Sequence, residues 1–251
     1  MRANNRWLAS DSIRCPGCRL HMDLCACALL LPMPTRTRVV LVTHVRELSK
    51  PTNTGRLALA CIAGARLVER GRRGGGLASL SCEPDSQPLL LYPVPGAMPL
   101  DAWKAAQPAA ADRVTLVVPD GTWRQTKRVR YRIPGLAHLP SVCLPAGLPS
   151  LFRLRHAGSA QRLATLEAIA HALRILDEPE IAERLMHIFQ VVVDRSLWSN
   201  GRLGSTEVTG GIPAGASQDG PRNTAEQKLR AGRAPVVATK PASVFPAEGF
   251  D

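Results

Sequence analysis

Unbroken runs of β-branched and aliphatic residues mark strands buried on both faces, whereas strict alternation would mark one wet face. The chain carries four such runs: Thr37 to Val45, Leu89 to Leu91 leading into Tyr92 and Pro93, Val114 to Val118, and Ser141 to Pro145. The period then changes. Leu163, Leu166, Ile169, Ala170, Leu173 and Leu176 recur at helical spacing. A second helix starts around Asp177, with Pro179 in its first turn and Ile181, Leu185, Ile188, Phe189 and Val192 on its apolar face. A shorter helix is expected after a cap at Asn53 or Thr54, running through Ala65 on Leu57, Leu59, Cys61 and Ile62. Doubly buried strands interspersed with helices predict an α/β fold, a mostly parallel sheet flanked by helices, over residues 35–203. Residues 1–14 are polar and expected to be flexible. Residues 204–251 are rich in Gly, Pro, Ala and Ser, lack apolar periodicity, and are expected to be disordered.

The run at Val114 stops at Pro119-Asp120-Gly121-Thr122-Trp123. In open α/β sheets ligands sit beyond the carboxyl ends of the strands, so a carboxylate, a hydroxyl and an indole at such an end form a candidate site. Asp120 has two readings here: a general base, or the cap of a helix opening at Thr122 or Trp123. That helix is expected to run to Arg132 and to carry Arg124, Lys127, Arg128 and Arg130, as a solvated face or as phosphate contacts. The helix start at Asn53 and Thr54 offers free N–H groups beside Lys50 and Arg56. It suits an anion or is an ordinary capped terminus.

Charge favours a polyanionic partner. Lys and Arg number 32 against 20 Asp and Glu, a net charge of +12, and the segment from Gly204 holds five of each sign, so the whole excess lies on residues 1–203. Nucleic acid is the commonest such partner and an anionic membrane surface the rival; a solubility role is the alternative. No apolar run approaches the roughly 20 residues of a membrane span, and no apolar segment follows Asn4, Asn5 and Arg6 as in a signal peptide. A cytoplasmic protein with reduced cysteines is expected. Cys15-Pro16-Gly17-Cys18 and Cys25-Ala26-Cys27 put four thiols within thirteen residues, a spacing that encloses one tetrahedral zinc in a segment spanning 15–34, with His21 as a substitute ligand. Four unrelated cysteines are the alternative. The basic loop Gly71 to Gly76 has neither P-loop nor dinucleotide spacing.

Asp120-Gly121-Thr122-Trp123 matches the D-x-T-W signature of the DTW-domain proteins, and four further blocks occur in that family's order. These are the cysteine group, Lys50-Pro51-Thr52-Asn53-Thr54-Gly55, Leu90-Leu91-Tyr92-Pro93, and Leu163-Ala164-Thr165-Leu166-Glu167-Ala168. Over roughly residues 13–198 the chain resembles these tRNA-uridine aminocarboxypropyltransferases, relatives of the SPOUT knotted methyltransferases. It departs from them at Lys50, where the family has arginine, at Ala164, where it has serine, and at His156, Ala157 and Gly158, where it has a more charged segment. The resemblance implies a knotted, SPOUT-like sheet. It implies transfer of the 3-amino-3-carboxypropyl group of S-adenosylmethionine to N3 of a tRNA uridine, with release of methylthioadenosine. In that reading Asp120, Thr122 and Trp123 are catalytic. Tyr92, Pro93, Pro119, Gly121, Leu144, Thr165 and Glu167 line the S-adenosylmethionine pocket, and Lys50, Asn53, Thr54, Arg56, Arg124, Lys127, Arg128, Arg153 and Arg155 face RNA. Arg153 or Arg155 holds the methionine carboxylate or a phosphate. Trp123 or Tyr92 is a stacking surface or core. Methyl transfer to RNA, and a non-catalytic zinc-containing RNA-binding module, are the competing functions.

Overall fold

The computed structural model describes residues 14–71, 80, 85–107, 113–129, 131–154 and 162–218, with the backbone alone at Trp123, Arg124 and Arg128. The four expected strands are present as β1 (Arg38–His44), β3 (Gln87–Leu91), β5 (Val114–Asp120) and β6 (Ser141–Cys143). Two more, β2 (Arg66–Arg70) and β4 (Met98–Pro99), complete a six-stranded sheet in the order β2-β1-β5-β3-β6-β4, with every pairing parallel. Both additions lie at sheet edges and neither is buried on two faces, so neither carries the apolar run that marks the others. The helices are α1 (Val45–Leu48), α2 (Gly55–Cys61), α3 (Leu100–Ala105), α4 (Trp123–Val129), α5 (Thr165–Ile175) and α6 (Pro179–Ser199).

Side chains alternate across a strand, and the central strands use both faces. Val39, Leu41, Leu89, Leu116 and Val118 pack with α2, α5 and α6, and Val40, Val42, Leu90 and Val117 pack on Val129, Ile133 and Leu136. Phe189 is the largest fully buried side chain among the described residues; burial of a side chain of this kind contributes about 1.5–3 kcal/mol. Cys15, Cys18, Leu20, Leu24 and Ala26 belong to the first of these clusters, so the cysteine segment is part of the core.

Three boundaries differ from expectation. α2 ends at Cys61 rather than Ala65, because Ile62 turns extended and bridges Met33, with Met33 N–H on the Cys61 carbonyl at 2.8 Å. α4 ends at Val129 and not at Arg132, where the chain tightens into a turn ahead of Pro134. The expected disordered stretch from Gly204 is corrected over residues 204–218. Val208 is buried, and Thr209 donates its N–H (3.1 Å) and hydroxyl (2.6 Å) to Asp194 of α6. Among the described residues, no helix is long and apolar enough to cross a membrane.

Candidate active site

β1 and β5 run side by side with Thr43 opposite Asp120, which fixes the carboxylate at the carboxyl end of the sheet. Asp120 is 3% exposed, and an ionised carboxylate only accepts hydrogen bonds, at about four lone pairs. Three donors from three elements meet it. Asn53 Nδ2 (2.5 Å) and Thr43 Oγ1 (3.1 Å) donate to Oδ2, and Thr165 Oγ1 (2.6 Å) donates to Oδ1. The donors are themselves fixed. Asn53 Oδ1 accepts from Arg56 N–H at 3.0 Å, and Thr54 Oγ1 accepts from Leu166 N–H at 3.3 Å, which ties the start of α5 to the start of α2. Gly55 makes this approach possible, because a Cβ there would lie 3.0 Å from both Asp120 Cγ and Leu41 Cδ2. The donors that meet Asp120 come from outside α4, and at the start of that helix Thr122 Oγ1 accepts from Gln125 N–H (3.4 Å).

A second chain of bonds runs beside the first. Buried Glu47 accepts at Oε1 from Lys50 Nζ and from Gln125 Nε2, each at 2.7 Å. Gln125 Oε1 in turn accepts from the Thr122 N–H and hydroxyl, each at 2.7 Å. Gly121 allows this, with φ of 139° and no Cβ to meet Gln125 Oε1 at 2.9 Å. Thr122 is thus held by its own helix, while its neighbour Asp120 is held by the rest of the fold.

Above both networks lies a cleft of about 1230 Å³. Asp120, Gly121, Thr122 and Thr165 form its polar centre, with Lys50, Asn53 and Thr54 on one side and Tyr92, Pro93, Pro119 and Leu144 on the other. Of the residues singled out in the sequence, these eleven come together. Glu167 does not join them. Its fully buried carboxylate accepts from Ala164 N–H, Leu151 N–H and Ser150 Oγ at 2.6–2.8 Å, so it fixes the turn into α5. Arg153 is paired with Asp194, and Arg56 donates to the Cys18 carbonyl at 3.2 Å; neither lines the cleft. Lys127 is exposed. Arg155 lies outside the described residues, as do the side chains of Trp123, Arg124 and Arg128. Four participants escaped the sequence reading. Thr43 sits inside an apolar run, Gln125 inside a basic one, Glu47 only three residues before Lys50, and Arg162, on the cleft wall, belongs to no periodic segment.

The sulfurs of Cys15, Cys18, Cys25 and Cys27 lie within 4.8 Å of one another, with Cys15 3.4 Å from Cys25 and from Cys27, and Cys18 3.8 Å from Cys25. Tetrahedral zinc at about 2.3 Å from each sulfur sets its ligands about 3.8 Å apart, so the donor set fits that ion. His21 is not among the converging groups. Gly17 closes the first turn, since a Cβ there would lie 2.6 Å from Cys27 Sγ. Ala26 and Cys27 N–H groups donate to Cys18 and Cys25 sulfurs at 3.4 Å. Burial raises the Cys15 thiol, but the Cys18 N–H and the Cys27 and Cys25 thiols outweigh it and bring Cys15 down to about 7. Burial and the neighbouring sulfurs push Cys27 up. Such a cluster resists collecting charge unless a cation offsets it.

The DTW domain family matches residues 12–197, a span that begins before the first cysteine and ends near the close of α6. The chain belongs to the DTW domain family. This DTW chain is 31% identical over 181 residues to the protein named tRNA-uridine aminocarboxypropyltransferase 2 in Drosophila melanogaster, covering 69% of this chain and 70% of that one. It is 29% identical over 189 residues to the protein of the same name in Macaca fascicularis, and 31% over 188 residues to that of Mus musculus. Each of these two matches covers 71% of this chain and 61% of the relative, so the chain spans about three-fifths of their length. No solved structure shows significant similarity to the chain.

Proposed function

We propose that this chain transfers the 3-amino-3-carboxypropyl group of S-adenosylmethionine to N3 of a uridine in tRNA, releasing methylthioadenosine. The observation that carries the reading is the Asp120 carboxylate, held by Thr43, Asn53 and Thr165 at the centre of the cleft. The names of the DTW relatives supply the tRNA uridine and the transferred group, and the charge of +12 suits a polyanion.

Two lone pairs of Asp120 Oδ2 are taken by Asn53 and Thr43, so the proton of N3 goes to Oδ1, beside Thr165. N3 then bonds to the methionine side-chain carbon next to sulfur, that carbon–sulfur bond breaks, and its electron pair leaves with the sulfur as a neutral thioether. Because the sulfonium leaving group is already activated, the protein's contribution is orientation and one proton transfer. Tyr92, Pro93, Pro119 and Leu144 provide an apolar wall for the adenosine and methylthio groups. Lys50 and Arg162 are the basic residues among the described lining, and Arg162 takes the methionine carboxylate in place of Arg153. Cys15, Cys18, Cys25 and Cys27 hold a structural zinc, a closed four-thiolate site without an open position. We include the knotted, SPOUT-like topology in the same reading. The return of the chain after β6 to put Thr165 on Asp120 and Leu166 on Thr54 supports it.

Purified protein incubated with tRNA and S-adenosylmethionine labelled in the methionine carboxyl carbon should label the tRNA, and methyl-labelled cofactor should not. Label entering only from the methyl group would replace this reading with methyl transfer, and no label from either would leave a binding module.

A further inference from the structure

The carboxyl edge of the sheet is polarised along its strand order. Apolar groups stand at β3 and β6 (Tyr92, Leu144) and Asp120 at the centre on β5, all lining the cleft, and beyond the cleft the ends of β1 and β2 carry His44 and Arg70. At the cationic end His44 is in register with Arg70, and the backbone at Gly71 packs so closely on the imidazole that a Cβ would lie 2.3 Å from Nε2. His44 Nδ1 accepts from Arg46 N–H at 3.1 Å, which fixes the ring and leaves the Arg46 side chain exposed. Arg70 Nε and Nη2 are buried with no hydrogen-bond partner among the described residues. Arg70 as a whole is only half-buried, and a guanidinium with unused donors in a fixed fork geometry is suited to a phosphate oxygen. Arg132, exposed in the turn after α4, acts on both His44 and Arg70, and its neighbour Tyr131 is 79% exposed. Glu47, the acid that also acts on His44 and Arg70, is already occupied by Lys50 and Gln125. Burial, then Arg70 and Arg46, hold His44 below its ordinary range, as a net positive environment requires.

We propose that His44, Arg46, Arg70 and Arg132 form a binding site for a backbone phosphate of the RNA, and that Tyr131 stacks on a base next to the target uridine. The inference rests on the transferase reading for the identity of the polyanion, and it deepens it by giving the strand a direction. Two strand spacings of about 4.8 Å separate β2 from β5. Alternation along β1 and β2 puts His44 and Arg70 on the sheet face opposite Thr43 and its partner Asp120. A nucleotide whose phosphate is gripped at β2 therefore crosses the carboxyl edge of the sheet to reach Asp120, while the apolar end of the cleft at β3 and β6 stays open to the sulfonium donor. RNA and donor enter from opposite ends and meet at one carboxylate.

The test is tRNA binding as a function of salt for the full chain, for R70A/R132A, for R46A/R132A and for Y131A. Arg46 and Arg132 are exposed, so the second double variant keeps the question answerable if the first folds poorly. Each double variant should weaken tRNA binding about tenfold or more. Each should also flatten the dependence of log Kd on log salt by about 0.7 for each phosphate no longer neutralised. Y131A should weaken binding about fivefold or more with its salt slope unchanged, since stacking releases no counterions. Double variants that melt like wild type and bind with the wild-type Kd and slope overturn the phosphate site, and wild-type affinity in Y131A overturns the stacking role. The labelled-donor assay on wild type separates the two readings. Transfer by wild type with unaltered binding by the variants sinks the site alone. Weakened binding by the variants without any transfer by wild type sinks the reaction alone.

Discussion

At the scale of single residues, Asp120 is a structural hub as well as the proposed base, so its removal has two effects. Asp120→Ala should abolish transfer. It should also leave the half-buried hydroxyl of Thr165 and the buried amide of Asn53 without the carboxylate, and the buried hydroxyl of Thr43 with only the residue-120 carbonyl at 3.4 Å. Each unsatisfied buried donor costs about 1–3 kcal/mol, so urea unfolding should show a loss of several kcal/mol. A variant that is inactive yet as stable as wild type would contradict the hub. Thr165→Val tests one spoke more gently, and Thr165→Ser should restore whatever it loses. Two histidines provide a separate residue-scale effect. Burial, with Arg70 and Arg46, holds His44 below its ordinary value; burial is also the main cause at His171, where Glu167 opposes and Arg174 adds to the lowering. In both cases the unfolded chain takes up the proton first as pH falls. Their contribution to stability is therefore complete above about 6.5, the unfolded value, and is lost as pH falls below it. The melting temperature should drop between pH 7 and pH 5, and the variant H44Q/H171Q should show a flatter drop; an identical slope would refute the assignment.

At the scale of elements, the turn between β5 and α4 joins the two bonded networks, and Gly121 is its pivot. Gly121→Ala would strain a backbone held at φ of 139° and drive a methyl group into Gln125 Oε1, releasing Thr122 and through Gln125 the buried Glu47. A loss of about 1–3 kcal/mol is expected, with weaker donor binding measured by calorimetry, because Gly121 and Thr122 line the cleft. How legible such elements were in the sequence follows from what each buries. β1, β3, β5 and β6 were visible because both faces are apolar, and α5 and α6 because their stripes are long. β2 and α3 were not. β2 is an exposed edge rich in arginine, and α3 has only six residues, of which Leu100 and Trp103 are buried. The same logic governs the site. Asp120, Thr165, Asn53 and the cysteines lie in recognisable blocks, whereas Thr43 looks like one more β-branched residue of β1 until its register opposite Asp120 is known. Arg56 and Arg153 were read as RNA contacts because sequence shows charge but not direction, and both guanidiniums turn inward to protein partners. Glu167 lay in the right block with the wrong role, since only the fold shows that its carboxylate is spent on the turn before α5.

At the scale of the whole molecule, the cysteine cluster is the point where α6, the segment at Gly211 and the site meet. Arg195 of α6 donates from Nη1 to the Leu24 and Cys25 carbonyls at 3.2 and 2.9 Å, and from Nε to the Gly211 carbonyl at 3.3 Å. Arg56 of α2 donates to the Cys18 carbonyl, three residues beyond the Asn53 that holds Asp120. Four thiolates around one dication carry a net charge of −2, and these two guanidiniums are among the cations set against it; each is held below its ordinary range by burial, which the cysteines oppose. Metal is therefore expected to stabilise the entire body rather than a local knuckle. Treatment with a strong zinc chelator should leave Arg56 and Arg195 as buried cations without a counter-charge. Breaking a buried pair in this way costs about 3–5 kcal/mol, or a fall in melting temperature of roughly 10 °C for a chain of this size. Arg195→Ala should weaken zinc retention about 10–100-fold against a chromogenic chelator, as loss of an outer-shell partner does, and should lower donor binding only through the shift it transmits to α2. The order of losses decides the point. Melting temperature and zinc retention must fall together and before donor binding; a metal-free protein by elemental analysis with an unchanged melting temperature would remove the metal from the architecture altogether.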